Sequence, residues 1–460
     1  MPRVAGVDSS TQSTKVEIRD LSSGEVVATG RGLHPTVTPP RSEQDPESWC
    51  TAFDEAWSDA ASPDVAAISI GGQQHGMVAL DDADRPVHPA KLWNDTESDA
   101  DAEWLIEQLG SPAAWADAVG SVPVAAFTIT KLSWLHRTRP DAWKAMARVM
   151  LPHDYMTRRL TGRHTTDRGD ASGTGYWSAR DGAYRFDLLS LVDAERDWSV
   201  ALPTVLGPMD TAGQWESAIV APGSGDNMAA ALGVGLRPGD TMVSIGTSGT
   251  VSAVSATPTA DETGAVAGFA DATGRFLPLV CTSNAAKVLD SIRNVLGVDH
   301  EEFDRLALDA APGGPVLLPY FDGERTPYRP DATGTLAGLR SDLTREQFAR
   351  AAIDGVACGL LDGLDALRDL TDLDGRLVLV GGGARSRAMQ AVIAGLAGMS
   401  VIVADVDEAV ATGAAVQAAA VLEQVDHAVI QERWGLGNGT PVDGVDGGSI
   451  RERYAALRDG

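Results

Sequence analysis

The amino-acid sequence predicts an α/β protein with two sheet domains. Short apolar or β-branched runs of strand length alternate with long alanine-rich stretches of helical periodicity, and this order starts again past residue 230. Each half also contains an apolar strand, a turn of Gly, Ser and Thr, and a β-branched strand, at residues 6–18 and 244–254. Two unrelated hairpins are the alternative, but their repetition favours a duplicated domain. We therefore expect one domain in residues 1–235 and another in residues 236–460.

The first half contains three predicted strands and four predicted helices. The run at residues 65–70 is continuously apolar, which is typical of a strand that is buried on both faces. The strands are expected at residues 4–7, 16–18 and 65–70, and the helices at residues 46–59, 100–109, 113–119 and 130–138.

The second half is expected to repeat this alternation. We predict strands at residues 241–245, 251–254 and 376–380 and a long helix at residues 346–370. The weakly polar stretch at residues 409–422 is interrupted by polar residues and is too short to span a bilayer. The tail from Gly435 onward, rich in Gly and Asp, is expected to be a peripheral segment.

Composition argues against several classes of function. The chain has 460 residues, of which 43% are hydrophobic and 22% charged, as in ordinary globular domains. Its 37 basic and 64 acidic residues give a net charge of −27, which argues against a nucleic-acid partner and against an anionic membrane surface. Met1 leads directly into a strand-like run rather than into a signal peptide, so we expect a cytoplasmic enzyme.

Cysteine, histidine and lysine usage adds further constraints. The three cysteines lie far apart without a CxxC motif and are expected to be reduced thiols, and the eight histidines form no HxxxH or HExxH zinc spacing. Lysine is rare among the basic residues, so each lysine is a candidate for a specific role. The five lysines are Lys15, Lys91, Lys131, Lys144 and Lys287.

Three segments rich in small residues are candidate phosphate cradles, because such residues let backbone N–H groups approach a phosphate closely. The turn at residues 9–14 is followed by Lys15, and Asp8 ends the preceding strand, where it could hold a hydrated Mg²⁺. The others are the turn at residues 245–250 and the strand and glycine triplet at residues 379–386, which lead into a helix. None matches a P-loop or Rossmann fingerprint, but the ordered set favours a bound nucleotide.

Asp226 is the strongest candidate for a catalytic carboxylate. It lies in a flexible turn at residues 222–228, next to a predicted helix at residues 229–232. One interpretation is a helix N-cap, because Asp is favoured at that position. The other is a general base that deprotonates an attacking hydroxyl group. Its place near the junction of the halves, where a cleft is expected, favours the second interpretation.

Two further segments carry groups suited to a polyol. The segment at residues 71–76 contains Gln74 and His75 and follows a predicted buried strand, and ligands of α/β sheets bind beyond the carboxyl ends of strands. For His75 the alternative is a loop histidine bonded to nearby backbone. The segment at residues 92–95 places Trp93 beside amide and carboxylate groups, a combination common at sugar sites. For Trp93 the alternative is core packing.

Taken together, these motifs resemble those of the FGGY family of carbohydrate kinases. The matching segments follow the family's order from residue 6 to residue 386, which is nearly the whole chain. GGGARS is shared by the superfamily, whereas SEQDPE, GQ-x-HG with LWND, and PY-x-x-GERTP are more specific to members that phosphorylate xylulose. In chain order the segments are GVDSSTQSTK, RSEQDPESW, GGQQHG, LWND, TITKLSW, LPHDY, GSGDN, SIGTSGT, LPYFDGERTP and LVGGGARS.

The resemblance implies an α/β fold of two actin-like ATPase (ribonuclease H-like) domains, each a mixed β-sheet flanked by helices, with a cleft between them. It also implies transfer of the γ-phosphate of ATP to D-xylulose with Mg²⁺ as cofactor, and homodimerisation, which is common among members. Asp226 matches the family's catalytic base, and Asp8 matches an aspartate important for activity near Mg²⁺. Gln74 and His75 match the dipeptide that contacts the ketose, and Asn227 is expected to bind the sugar beside them.

The resemblance assigns the nucleotide site as well. The two hairpin turns hold the phosphates, and the glycine triplet lies by the adenosine. The expected ATP-binding residues are Ser10, Thr11, Lys15, Gly246, Thr247, Gly382 and Gly383.

Two residues depart from the family pattern. Ser10 stands where Gly is usual, which raises the question of the geometry of the first phosphate turn. Gln74 stands where Met is common, which leaves the sugar open, so a kinase of ribulose, gluconate or glycerol is an alternative. A non-kinase ATPase with an actin-like core is a second alternative, but GGQQHG, LWND and Asp226 argue against it.

Overall fold

The computed structural model describes residues 2–61, 64–311 and 313–460. The described residues form two compact units, and neither is continuous along the chain. Unit 1 lies within Met1–Leu236, Ala256–Leu277 and Val406–Asn438, and unit 2 within Arg237–Ser255, Pro278–Asp405 and Gly439–Gly460. The continuous functional domains expected at residues 1–235 and 236–460, and the cleft between them, stay predictions.

Strands and helices alternate along the chain. The strands are β1 (Arg3–Ser9), β2 (Ser13–Asp20), β3 (Val26–Leu33), β4 (Glu43–Gln44), β5 (Ala67–Gly72), β6 (Val78–Leu80), β7 (Ala90–Lys91), β8 (Arg148–Met150), β9 (Thr165–Asp167), β10 (Trp177–Ser178), β11 (Ala183–Tyr184), β12 (Thr204–Leu206), β13 (Gly213–Trp215), β14 (Ala218–Val220), β15 (Ser224–Gly225), β16 (Thr241–Ile245), β17 (Gly249–Ala253), β18 (Ala267–Ala270), β19 (Phe276–Thr282), β20 (Val316–Leu318), β21 (Thr335–Ala337), β22 (Leu377–Val380), β23 (Val401–Ala404) and β24 (Gly439–Pro441). The α-helices are α1 (Pro46–Asp59), α2 (Asp99–Leu109), α3 (Pro112–Val119), α4 (Thr128–Thr138), α5 (Pro140–Ala145), α6 (Pro152–Thr161), α7 (Arg168–Ser172), α8 (Phe186–Val192), α9 (Trp198–Ala201), α10 (Asp226–Gly233), α11 (Ala286–Leu296), α12 (His300–Asp309), α13 (Arg345–Arg368), α14 (Arg387–Leu396), α15 (Ala409–Glu423), α16 (His427–Arg433) and α17 (Ile450–Asp459). Two mixed sheets of seven strands each, flanked by helices, confirm the predicted α/β class.

The large sheet of unit 1 brings three strand ends to one edge. Its order is β13-β14-β5-β1-β2-β3, and β15 pairs with β5. Strands β1, β5 and β15 run parallel, and Asp8 and Ser224 both lie opposite Gly71 in the register. Because parallel strands end at the same edge, the segments that follow β1, β5 and β15 meet there. These are the segments that contain the first phosphate turn, Gln74 and Asp226.

Helix α15 packs on this sheet although it comes late in the chain. Glycines allow the close approach: a Cβ atom on Gly6 of β1 would lie 1.9 Å from the carbonyl oxygen of Ala411. At the crossing of α15 with α10, a Cβ atom on Gly413 would lie 1.8 Å from the carbonyl oxygen of Ala229. The small residues of the stretch at residues 409–422 therefore serve helix packing.

We expect Gly413→Ala to destabilise the protein by about 2 kcal/mol, because α10 and α15 must separate to admit the methyl group. Gly359→Ala is the matched control, since Gly359 also lies in a helix and its added Cβ atom would meet nothing closer than 3.4 Å. Alanine there should be neutral or stabilising by up to about 1 kcal/mol. Urea denaturation measures both, and equal stabilities of the two variants would contradict the close-packing argument.

The sheet of unit 2 follows the same plan. Strand β16 pairs antiparallel with β17 and parallel with β22, and β22 continues to β23 and β24. The ends of β16 and β22 are therefore neighbours, which brings the turn that begins at Gly246 next to the glycine triplet that begins at Gly381. The 24-residue helix α13 packs against β17 and against α11, α12 and α14.

Several predicted elements are confirmed, and one prediction is wrong. Helix α1 has the predicted limits because Asp45 caps it and Pro46 begins it, and β16 also matches its prediction. The tail from Gly435 onward is not peripheral: β24 extends the sheet, and Ile450 and Tyr454 of α17 enter a buried cluster with Val316, Leu318, Tyr320 and Cys358. The glycine-rich composition of the tail does not indicate this packing, because few tail side chains supply the apolar contact.

The structure also describes the state of the cysteines and the character of the helices. The three cysteines are free thiols, and Cys50 and Cys358 are buried. Within the described part of the chain, no helix has the length and apolar character needed to cross a bilayer.

Candidate active site

The first phosphate turn links β1 to β2 and is held by side chains from three other segments. Thr11 Oγ1 donates to Gln73 Oε1 at 3.2 Å and accepts from Trp93 Nε1 at 3.0 Å, while Gln44 Nε2 donates to the carbonyl of Thr11 at 3.1 Å. Ser10 closes the turn by donating from its backbone N–H (3.1 Å) and its hydroxyl (3.2 Å) to the carbonyl of Ser13. Its backbone avoids the left-handed region, so the turn accommodates Ser in place of Gly without strain.

Trp93 is 39% exposed, so the core-packing interpretation of this residue is wrong. Its indole ring lies beside the turn and its N–H group is directed at Thr11. An exposed aromatic ring with a hydrogen-bonded end offers one face to a ligand.

Asp8 lies at the end of β1 and combines burial with an unpaired oxygen. It is 5% exposed, and its Oδ1 atom has no hydrogen-bond partner among the described residues. Burial raises the pKa of Asp8 to about 7, with Asp226 and Glu408 adding to the effect and Lys15 opposing it. A cation beside this oxygen would offset the cost of its burial.

Lys15 lies between two carboxylates. Its Nζ atom is 3.9 Å from Asp8 Oδ2 and 2.5 Å from Glu408 Oε2. Sequence reasoning missed Glu408, and its signal was an acidic residue directly before the alanine-rich helix α15.

Asp226 is the first residue of α10, and Gly225 is the N-cap, so the capping interpretation of Asp226 is wrong. Its Oδ1 atom accepts from the backbone N–H (2.8 Å) and the side-chain amide (2.9 Å) of Asn227. The amide of Asn227 also donates to Gln74 Oε1 at 2.8 Å. Burial raises the pKa of Asp226 to about 6, although the bonds from Asn227 oppose the shift. The carboxylate of Asp226 and the side-chain amides of Asn227 and Gln74 thus form one hydrogen-bonded chain.

The side chains of Gln74 and His75 differ in their hydrogen bonding. Gln74 is 3% exposed, and its Nε2 donor has no partner among the described residues. His75 has a left-handed backbone with φ of 65°, and its Nδ1 atom donates to the carbonyl of Gly173 at 2.8 Å. Its ring packs against both Phe127 and Phe269, with centroids 5.1 and 5.3 Å away. The alternative of a backbone-bonded His75 is therefore present in the structure, through a residue distant in sequence.

Gln417 of α15 fixes the loop that carries Asp226. Its amide donates to the carbonyl of Gly223 and accepts from the N–H of Gly223, both at 3.0 Å, and Ser69 Oγ donates to the same amide oxygen at 2.5 Å. Sequence reasoning missed Gln417, because in the sequence it only interrupts the apolar stretch at residues 409–422. A glutamine inside a buried helix was the available signal, because buried polar groups need partners.

In unit 2 the predicted nucleotide segments lie side by side. Gly246 and Thr247 are exposed in the turn after β16, and Gly246 accepts a hydrogen bond from the N–H of Ala286 at 2.9 Å. Gly383 packs on the strand end, since a Cβ atom there would lie 2.4 Å from Ile245 Cγ2. Nothing lies within 4 Å of a Cβ position on Gly382. Two exposed turns of small residues are suited to close contact with a nucleotide.

Lys91 connects three of the sequence motifs inside unit 1. Its side chain is fully buried, with Nζ 3.1 Å from Glu43 Oε1, 3.0 Å from Asp95 Oδ1 and 2.7 Å from Glu97 Oε2. The ammonium also lies 3.7 Å from the ring centroid of Trp134. Among the described residues, these three carboxylates are the one group spaced to hold a metal ion, and the lysine supplies the cation instead.

Two mixed-sheet units, with a partly exposed carboxylate bonded to amides in one and open glycine turns in the other, are typical of an enzyme that phosphorylates a hydroxyl compound. Residues 4–233 match the N-terminal domain, and residues 241–422 the C-terminal domain, of the FGGY family of carbohydrate kinases. The chain therefore belongs to the FGGY family of carbohydrate kinases. As a carbohydrate kinase it uses ATP as phosphoryl donor and a sugar as acceptor.

Relatives within the family are similar over nearly their full lengths. A xylulose kinase of Streptomyces coelicolor is 46% identical over 458 residues, which cover 97% of this chain and 93% of the relative. One of Haemophilus influenzae is 35% identical over 440 residues, or 90% of this chain and 89% of the relative. The crystal structure of xylulose kinase from Bifidobacterium adolescentis is 41% identical with a TM-score of 0.88 and covers 99% of each chain.

Proposed function

We propose that this protein transfers the γ-phosphate of ATP to D-xylulose and forms D-xylulose 5-phosphate. The observation that carries the proposal is the hydrogen-bonded chain from Asp226 through Asn227 to Gln74. It places a partly exposed carboxylate with a raised pKa beside amide groups suited to sugar hydroxyls. The identity to xylulose kinases over almost the whole chain supports xylulose as the acceptor.

In the proposed reaction Asp226 accepts the proton of the O5 hydroxyl group. The O5 oxygen attacks the γ-phosphorus in line, a new O–P bond forms, and the bond to the leaving oxygen of ADP breaks. Because the transition state of phosphoryl transfer is loose, the base acts largely by aligning the nucleophile. Gln74, His75 and Asn227 bind the sugar, with the unpaired Nε2 of Gln74 as a donor to one of its hydroxyl groups.

The phosphate and adenosine contacts are assigned to the small-residue turns. Ser10, Thr11 and Lys15 of unit 1 bind phosphate oxygens, and so do Gly246 and Thr247 of unit 2. Gly382 and Gly383 line the adenosine site, which the open space at Gly382 supports. Since the chain carries a net charge of −27, binding of anionic ATP depends on these local N–H groups and on Lys15.

The residues around Asp8 fit a magnesium ion. Asp8 Oδ1 is a buried carboxylate oxygen with no hydrogen-bond partner among the described residues, and oxygen ligands are those that Mg²⁺ prefers. Asp8 would hold the ion, and the ion would supply neutralisation of phosphate charge. A homodimer, implied by the family resemblance, stays a prediction that light scattering measures.

The substrate is tested by measuring ADP release with ATP and a panel of D-xylulose, D-ribulose, D-gluconate and glycerol. We expect kcat/KM for D-xylulose to exceed that of each other compound by at least about tenfold, and phosphorus NMR to locate the new ester on C5. A higher kcat/KM with another compound would replace xylulose as the substrate. ADP release at the same rate without any sugar would instead indicate a non-kinase ATPase.

A further inference from the structure

Unit 1 contains a buried cluster of four ionisable side chains that the proposed reaction does not use. His153 and Asp154 lie in the first turn of α6, Asp167 ends β9, and Asp170 lies in α7. None of the four is more than 3% exposed. Charged side chains are almost never fully buried unless they are paired, so this cluster requires an explanation.

One imidazole nitrogen is shared by all three carboxylates. His153 Nε2 lies 3.2 Å from Asp154 Oδ1, 3.1 Å from Asp167 Oδ1 and 3.5 Å from Asp170 Oδ2. This nitrogen carries at most one N–H group in either protonation state and has no hydrogen-bond partner among the described residues, so its contacts with the three aspartates are electrostatic. A positive charge on the ring stabilises the carboxylates that surround it, because it offsets their mutual repulsion in a buried site.

The electrostatics agree with this geometry. Burial disfavours the imidazolium, but the three aspartates outweigh it and raise the pKa of His153 to about 9. Burial also raises the pKa of Asp154 to about 6 and that of Asp170 well above its usual range. Tyr176 and Asp226 are further titratable groups coupled to the aspartates. Removal of the ring's charge would therefore leave several buried carboxyl groups without a counterion.

The cluster lies directly beneath the predicted sugar site. A Cβ atom on Gly223 would lie 2.7 Å from His153 Nδ1, and one on Gly72 would lie 2.9 Å from His153 Cβ. Gly72 precedes the segment with Gln74 and His75, and Gly223 precedes Asp226. Asp170 Oδ1 also accepts from the backbone N–H of His75 at 3.4 Å. A shift of the His153 ring would therefore displace both the segment that contains Gln74 and His75 and the loop that carries Asp226.

We propose that His153 is a positioning residue: as a buried imidazolium it holds Asp154, Asp167 and Asp170 together and thereby fixes His75 and the loop that carries Asp226. The inference rests on the proposed function for its kinetic readout alone. The charge of His153 is a property of the folded protein that does not depend on turnover.

The charge is tested by NMR on protein with ¹³C-labelled histidine, using His153→Gln to assign the resonance among the eight histidines. We expect the ring of His153 to remain cationic from pH 6 to about 8 and to lose its proton near pH 9. A neutral ring at pH 7 would overturn the proposal. Where the variant does not fold, broadening of exposed rings by a paramagnetic agent leaves the resonances of the buried His34, His153 and His427, and the variants His34→Gln and His427→Gln identify the other two.

The positioning role is tested by charge compensation. We expect His153→Gln to lower kcat with xylulose about 100-fold, as a displacement of about 1 Å does. The double variant His153→Gln/Asp154→Asn, assayed at pH 8, removes one negative charge as well, because Asp154 with a pKa of about 6 is deprotonated there, and kcat should recover at least about tenfold from the single variant. His300→Gln is the matched control at an exposed histidine and should leave kcat unchanged.

Wild-type kcat in His153→Gln, or a double variant no faster than the single one, would overturn the proposal. Absent xylulose turnover in the unaltered protein would count against the proposed function instead.

Discussion

Replacement of Asp226 by asparagine should lower kcat about 1,000-fold while KM for the sugar changes little. Asparagine keeps the size of the side chain and an oxygen that accepts from Asn227, so the hydrogen-bonded chain to Gln74 is retained. It cannot accept the proton of the attacking hydroxyl group, and a positioned base contributes about 10²- to 10⁴-fold to such a step. Steady-state kinetics with ATP and D-xylulose measure the loss.

The pH dependence gives a second measurement of the same prediction. Burial raises the pKa of Asp226 to about 6, and the base acts only when it is deprotonated. In assays at saturating Mg²⁺, which would keep Asp8 deprotonated, turnover should therefore be full above pH 7 and fall as the pH drops through about 6. The residual turnover of Asp226→Asn should lack this decrease, because the titrating group is gone.

Asp82→Asn provides the matched control. Asp82 is an exposed aspartate of the same unit, and its replacement should leave kcat and the pH profile unchanged. Turnover of Asp226→Asn within about tenfold of wild type would contradict the assignment of Asp226 as base.

Replacement of Lys91 by methionine should destabilise the protein by about 3–5 kcal/mol. Methionine fills similar space but leaves Glu43, Asp95 and Glu97 without the ammonium that they share. Asp95 is fully buried and cannot gain hydration in compensation. Lys91→Arg should not restore stability, because the larger guanidinium has no room in a fully buried site over the ring of Trp134.

The loss is measured as the free energy of unfolding in urea. Lys144→Met is the control, since Lys144 is exposed on α5 and its replacement should change stability by less than about 0.5 kcal/mol. Equal stabilities of the two variants would contradict the interpretation of Lys91 as the counterion of a buried acidic cluster.

Sequence patterns were sufficient for the fold class because they are local. The limits of α1 follow from Asp45 and Pro46, and the alternation of strands and helices follows from hydrophobic periodicity. Asp8, Gln74 and Asp226 were found as residues at the ends of strands or at the beginning of a helix. The structure adds the register that aligns their strands at one edge of the sheet.

The sequence by itself determined the α/β class, the order of the motifs and the candidate site residues, because each depends on neighbours a few positions away. Tertiary structure alone decided which distant residues support them. Glu408 reaches Lys15 across 393 positions, and Gln417 reaches Gly223 across 194. Glu408 directly precedes α15 and Gln417 lies within it, and this helix packs on unit 1 because glycines at its contacts admit the backbone of its neighbours. Residues that are hundreds of positions apart and meet only through the packing of α15 produce no periodic pattern in the sequence. Their contact depends on how the helix packs, and their spacing along the chain does not reveal it.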